Sequence, residues 1–263
     1  MFAPHATEIL ALFVLGGILG ILVGFVIATF RRWPFTIPRA LLHVLNQVMA
    51  RIIWRTQISG PLPVAPGEGA VIICNHRSSI DPAILQLAAD RVVHWMVAQE
   101  YCQRGVIGAA MRSCKVIATR RSGIDTRATK TAIRYAQQGH MVGMFPEGRI
   151  NLTEDLLRPG RPGAALVALK ARVPIVPCYI DGSPYNGTAA GPLMMPAHVR
   201  VVVGDKMDIS AYYDRDGERE VLEEITLRGM KEIARLAGHD DFQPKLAGRR
   251  WSPAAEERQD DAT

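Results

Sequence analysis

The longest apolar run opens the chain. From Ile9 to Phe30 no residue is charged, and Arg31 and Arg32 follow at once. As a helix this run is roughly 33 Å long, enough to cross the hydrocarbon core of a bilayer. A secretory signal would carry a basic opening, a shorter apolar stretch and a small-residue cleavage site. Here "MFAPHATE" holds no Lys or Arg, and "IATFRRWP" offers no such site. The pattern therefore predicts an uncleaved single-pass anchor over residues 1–33. Arg31, Arg32 and Arg39 follow the span and nothing basic precedes it, so the positive-inside rule predicts that the remainder lies on the cytoplasmic face of the membrane. Gly16, Gly20 and Gly24 recur at every fourth position, a spacing that suits either a helix-packing face or glycines merely tolerated in lipid.

The pattern then changes to a helical stripe. In residues 34–58, Leu41, Leu42, Leu45, Val48, Met49, Ile52 and Ile53 share one helix face, while Arg39, His43, Asn46, Arg51 and Arg55 fall largely outside it. Such an amphipathic helix either packs on a core or lies in a membrane interface. "SGPLPVAPGEG" at 59–69 reads as turns.

From there, short apolar strands alternate with helices. Strands are expected at 70–74, 92–98, 115–119, 141–145, 175–180 and 199–203. Helices are expected at 82–90, from an Asp125 N-cap to a stop at Gly139, at 163–173, and at 218–238, where Gly229 costs a helix interior ~1 kcal/mol. This alternation predicts an α/β domain over 59–242, a mixed sheet covered by helices, followed by a polar, disordered tail at 243–263.

Charge narrows the partners. A net charge of +6 points to nucleic acid, anionic membranes or anionic ligands. Aromatic residues make up 6% and are not interleaved with basic runs, which argues against nucleic acid. Cys74, Cys102, Cys114 and Cys178 are scattered without a CxxC, so neither a disulfide framework nor a metal site is indicated.

The candidate chemistry lies where strands end. Sites in α/β sheets occupy crevices beyond the carboxyl ends of strands. In "IICNHRSSIDPAIL" an apolar strand stops at Asn75, His76 follows, and Asp81 comes five residues later. A histidine there acts as a general base if a carboxylate fixes its orientation. The competing reading makes Asp81 the N-cap of a helix with Pro82 at its first position. "MVGMFPEGRI" and "KVIATRR" also end strands in polar clusters, and arginine at such a place suits a phosphate.

Taken together and in order, "NHRSSID", "KVIATRR", "FPEGR" and "VPIVP" resemble the four sequence blocks of the glycerolipid acyltransferases, of the lysophosphatidic acid acyltransferase type. The resemblance covers roughly 62–182. It departs at Lys115, where the family usually has glycine, at Arg149, which follows Gly148 without an intervening threonine, and at Pro162, where a second basic residue is common beside Arg161. The resemblance implies that His76, oriented by Asp81, deprotonates a hydroxyl of 1-acylglycerol-3-phosphate. That oxygen then attacks an acyl thioester of coenzyme A or of acyl carrier protein, giving phosphatidic acid. It further implies that Arg121, Glu147, Gly148, Arg149 and Arg161 form the phosphate site, and that no cofactor or metal is bound. The partners implied are the lysophospholipid, the acyl thioester, the bilayer and acyl carrier protein. Another lysophospholipid or a lyso-aminolipid as acceptor, or a non-catalytic membrane adaptor on the same fold, are the alternatives. A serine hydrolase is disfavoured because no G-x-S-x-G occurs.

Overall fold

The computed structural model describes residues 4–32, 37–103, 105–120 and 125–248. Its contacts divide the chain into residues 1–45 and 46–263.

In the first unit, helix α1 spans Pro4–Arg32. Its described side chains, among them Leu12, Phe13, Leu15, Leu19 and Leu22, are exposed. Among the described residues no helix is long and apolar enough to cross a membrane. The expected span Ile9–Phe30 includes side chains outside that set, those of Leu10, Ala11, Val26, Thr29 and Phe30. The expected anchor is thus a formed helix whose described apolar side chains are exposed.

Helix α2, Ile37–Ile52, realises the predicted stripe with one change. Leu41, Leu45, Val48 and Ile52 are exposed, whereas Ala50 and the following Trp54 are buried. The helix buries Ala40, His43 and Ala50 and leaves Leu41, Leu45, Val48 and Ile52 outside. Its last turn belongs to the second unit, where Asn46 donates to the Ala83 carbonyl at 2.7 Å.

The second unit is built on a seven-stranded sheet: β1 (Gln57–Ile58), β2 (Ala70–Cys74), β3 (Val93–Ala98), β4 (Ile117–Thr119), β5 (Met141–Met144), β6 (Ile175–Asp181) and β7 (Arg200–Val203). The order is β1-β7-β6-β2-β5-β3-β4. Only the β6–β7 pair is antiparallel, so the sheet is mixed as expected. β2 is buried at every position because both sheet faces are covered, which is why it reads as a continuous apolar run rather than an alternation. Val71 and Ile73 face a layer made by α6 (Thr126–Gln137), α7 (Gly163–Ala171) and α8 (Arg219–Leu236). Ala70, Ile72 and Cys74 face the other layer, with Trp54, Trp95 and α3 (Asp81–Leu85).

Predicted boundaries hold within a few residues, and the differences have local causes. Asp125 caps α6 by accepting from the Arg127 and Ala128 amides. The helix expected at 82–90 is α3 followed by a 3-10 turn at Gln86–Ala88. Helices α4 (Gln99–Cys102) and α5 (Gly105–Ser113) were not expected from the sequence. Gly229 is not a blemish: a Cβ there would lie 2.7 Å from Ile73 Cδ1, so the glycine lets α8 press against β2. The first residues of the expected tail are held against the domain. Gly160 donates to Lys245 O at 2.7 Å and accepts from Ala247 N at 2.9 Å, and residues from 249 lie outside those described.

Candidate active site

β2, β3, β4, β5 and β6 run parallel, so their carboxyl ends share one edge of the sheet. "NHRSSID" and "FPEGR" emerge there, as does Arg120 after β4, whereas "VPIVP" lies at the start of β6, at the other edge. Asn75 ends β2 by pairing sideways with β6: its side chain donates to Ile180 O and accepts from Ile180 N, both at 2.8 Å. This buried amide continues the sheet pairing one residue past the strand and sets where His76 leaves it.

His76 is then held through its backbone. Its N–H donates to Glu147 Oε1 at 2.7 Å, and its carbonyl accepts from Asn151 N at 2.7 Å. On the ring, Nδ1 lies 3.0 Å from Asp81 Oδ2. With a carboxylate as acceptor, Nδ1 is the donor, which leaves Nε2 as the basic edge. The His76 side chain keeps 15% of its surface accessible while Asp81 is fully buried. One imidazole face stacks on Phe145, with centroids 3.8 Å apart and planes 9° from parallel.

Asp81 resolves the choice between cap and orienter. It occupies the first turn of α3 behind Ile80, and the N-cap position makes no side-chain bond. Its carboxylate instead turns back on the preceding loop. Oδ2 accepts from Arg77 N at 2.7 Å and Ser78 N at 2.8 Å, besides the imidazole. The capping reading is corrected: Asp81 is the first helical residue with Pro82 next, and its carboxylate ties the loop 76–78 to the ring.

The loop is also braced on both sides. Arg77, which sequence reasoning passed over, donates to Thr153 O and Asp155 O, both at 2.7 Å. Ser78 Oγ donates to Pro184 O at 2.5 Å, and Ser79 Oγ to Ala189 O at 3.1 Å. The two serines thereby fasten the segment after β6 to the histidine loop.

The expected phosphate set separates. Arg121 lies outside the described residues. Glu147 is 2% exposed, and its two oxygens accept from His76 N and Arg158 N, at 2.7 and 2.9 Å. Glu147 is thus a clamp between the histidine loop and the segment leading to α7. Burial raises its pKa above the ordinary glutamate value, offset in part by those two amides and by the charges of His76 and Arg77. Gly148 has φ +75°, and a Cβ there would come within 3.1 Å of Arg161 Cδ. A side chain would be strained by the backbone and would displace Arg161. Gly148 and Arg161 are therefore brought together: Arg161 covers the glycine and its backbone N–H donates to Pro146 O at 2.9 Å. Arg149 follows in chain and is half-buried.

A histidine oriented by a buried carboxylate at a strand end can act as a general base. Residues 55–181 match the family model described as Acyltransferase. The match spans just under half of the chain, and over it the chain resembles the acyltransferase family. The expectation of an acyltransferase enzyme is met at that level. A 1-acyl-sn-glycerol-3-phosphate acyltransferase of Bacillus subtilis is 26% identical over 142 residues, 53% of this chain and 67% of that protein. The human 1-acyl-sn-glycerol-3-phosphate acyltransferase beta is 30% identical over 127 residues, 47% of this chain and 45% of its own length. The crystal structure of the Thermotoga maritima acyltransferase PlsC superposes with a TM-score of 0.56 at 19% identity, over 88% of this chain and 90% of that one. That likeness shows the fold.

Proposed function

We propose that this protein transfers a fatty acyl group from an acyl thioester to the free hydroxyl of 1-acylglycerol-3-phosphate, forming phosphatidic acid at the cytoplasmic face of a membrane. The reading rests on one observation above all, the 3.0 Å contact between His76 Nδ1 and the buried Asp81 carboxylate at the end of β2. His76 Nε2 takes the proton of the acceptor hydroxyl as its oxygen attacks the thioester carbonyl carbon. Asp81 stabilises the imidazolium so formed, as the carboxylate does in a hydrolase triad. The tetrahedral intermediate collapses with cleavage of the C–S bond. The thiolate of coenzyme A or acyl carrier protein leaves, and the imidazolium returns its proton to that sulfur. The acceptor oxygen is the nucleophile throughout, so no acyl-enzyme forms.

Arg149 and Arg161 beside Gly148 are the cations that would receive the acceptor phosphate, with Arg121 as a third from the block that follows β4. Membrane attachment fits a substrate and product that live in lipid. α1 supports it as an apolar helix followed by Arg31 and Arg32, and α2 supports it with the exposed Leu41, Leu45, Val48 and Ile52 along one side.

The test uses full-length protein in lipid, a labelled acyl-CoA, a labelled acyl-ACP and a panel of lyso acceptors with and without phosphate. Transfer to lysophosphatidic acid, abolished by His76→Ala, is expected. Turnover only with a lyso-aminolipid or another lysophospholipid would overturn the acceptor, and full activity in His76→Ala would overturn the mechanism.

A further inference from the structure

The imidazole proposed as the base has three sides to account for. Its Nδ1 edge meets Asp81, its Nε2 edge is left for substrate, and one of its faces lies on Phe145. That face contact is part of a longer column. Phe145 stacks in turn on Trp95, with centroids 5.0 Å apart and planes 19° from parallel. Trp95 is 3% exposed and lies flat across β5 above Gly143, where a Cβ would meet its indole at 2.4 Å. So Gly143, Trp95, Phe145 and His76 form one column that begins in the packed sheet and ends at the reacting ring.

The column is fixed by neighbouring strands. Trp95 sits in register with Gly143 on paired β3 and β5, and Phe145 follows β5 directly. The soft motion of the imidazole is rotation about its Cβ–Cγ bond, which the Nδ1–Asp81 contact resists at one edge. A flat ring 3.8 Å away and nearly parallel blocks it.

We propose that Phe145 is a positioning residue for acyl transfer, acting through His76: its ring, backed by Trp95, sets the plane of the imidazole and favours the imidazolium that forms as the hydroxyl is deprotonated. The proposal rests on His76 being the base. A cation over an aromatic face is attracted by the ring quadrupole, and the attraction exists only while the imidazole carries the transferred proton. The interaction is therefore stronger in the transition state than in the resting enzyme, so it acts on kcat more than on KM. An aliphatic side chain of similar volume fills the space but has neither the flat face nor the quadrupole.

The experiment compares Phe145→Leu and Phe145→Tyr with wild type and with His76→Ala, all as full-length protein in lipid. Phe145→Leu is expected to lower kcat by about 2- to 30-fold, with the acceptor KM changed little and melting within a few degrees of wild type. Phe145→Tyr keeps the aromatic face and is expected to recover most of kcat. In selectively labelled protein, the His76 Cε1–H resonance should lose its ring-current shift in Phe145→Leu and keep it in Phe145→Tyr. If Phe145→Leu fails to fold, Phe145→Met fills the volume flexibly and serves the same comparison. Wild-type kcat in a folded aliphatic variant, or equal losses in the Leu and Tyr variants, would overturn the proposal while an inactive His76→Ala leaves the base intact. An active His76→Ala would remove the base itself and the proposal with it.

Discussion

Glu147→Gln separates a clamp from a ligand at a position where the two roles predict opposite phenotypes. In the wild type, each carboxylate oxygen accepts one backbone N–H, from His76 at 2.7 Å and from Arg158 at 2.9 Å. Glutamine is nearly isosteric but offers one acceptor and one donor. Either the His76 or the Arg158 amide must then face an NH₂ group. A buried donor left without an acceptor costs about 1–3 kcal/mol, and the surviving bond loses its charge assistance, about 1 kcal/mol more. Burial already disfavours the charged carboxylate, which opposes its ionisation and offsets part of this loss. A net destabilisation of about 2 kcal/mol is expected. At ~2–4 °C per kcal/mol for a domain of this size, melting should fall by about 4–8 °C.

The pH dependence has a definite sign. The folded carboxyl binds its proton above the ordinary glutamate range, so the folded state holds more protons than the unfolded one between those two values. Wild-type stability contributed by this group is highest below that window and falls as pH rises through it, and Glu147→Gln lacks that slope. On activity, loosening the His76 backbone should lower kcat equally for phosphorylated and phosphate-free acceptors. Calorimetry across pH and steady-state kinetics on both acceptors are the assays. Unchanged melting with a loss confined to the phosphorylated acceptor would refute the clamp and return Glu147 to the phosphate site.

Asp81→Asn can still accept from the loop amides but loses its charge beside the imidazole, so kcat should fall by at least about 10²-fold while circular dichroism stays native; near-normal turnover would reduce Asp81 to a loop tie. Arg149→Lys and Arg161→Lys should each raise KM for lysophosphatidic acid more than for an acceptor without phosphate, because lysine lacks the planar fork, and equal losses on both acceptors would make these arginines structural. Replacing Leu45 and Ile52 on the exposed side of α2 by glutamate should weaken sedimentation with anionic vesicles and leave melting within about 1 kcal/mol of wild type, since neither side chain is buried; unchanged vesicle binding would remove this face from the membrane contact.

Much of this protein is legible along the chain because its signals are local. A sheet buried on both faces needs continuous apolar strands, so β2, β5 and β6 stand out as runs, and each ends visibly in the turn chemistry that opens the crevice. Asp125 and its helix depend on bonds spanning three residues, and periodicity predicts α8. His76 and Asp81 are five positions apart in one loop, so their pairing is a short-range fact that spacing suggests. Whether Asp81 caps α3 or turns back on His76 is not, because both uses need the same residue at the same place. The backbone path decided it by putting the Arg77 and Ser78 amides beside Oδ2. Glu147 reads as a ligand only while its neighbours are unknown. It becomes a clamp once the sheet brings β5 beside β2 and returns Arg158 to the same carboxylate. Asn75 looks like motif filler until β6, more than a hundred residues later, pairs with it. Gly229 looks like a helix defect until Ile73 is seen against it. Trp95, Phe145 and His76 come from three strands, and no window of sequence holds them together. Hydrogen bonds and caps within a few residues write themselves into local patterns. Stacking, strand neighbours and the sharing of a buried carboxylate depend on which strands lie side by side, and only the packed sheet settles that.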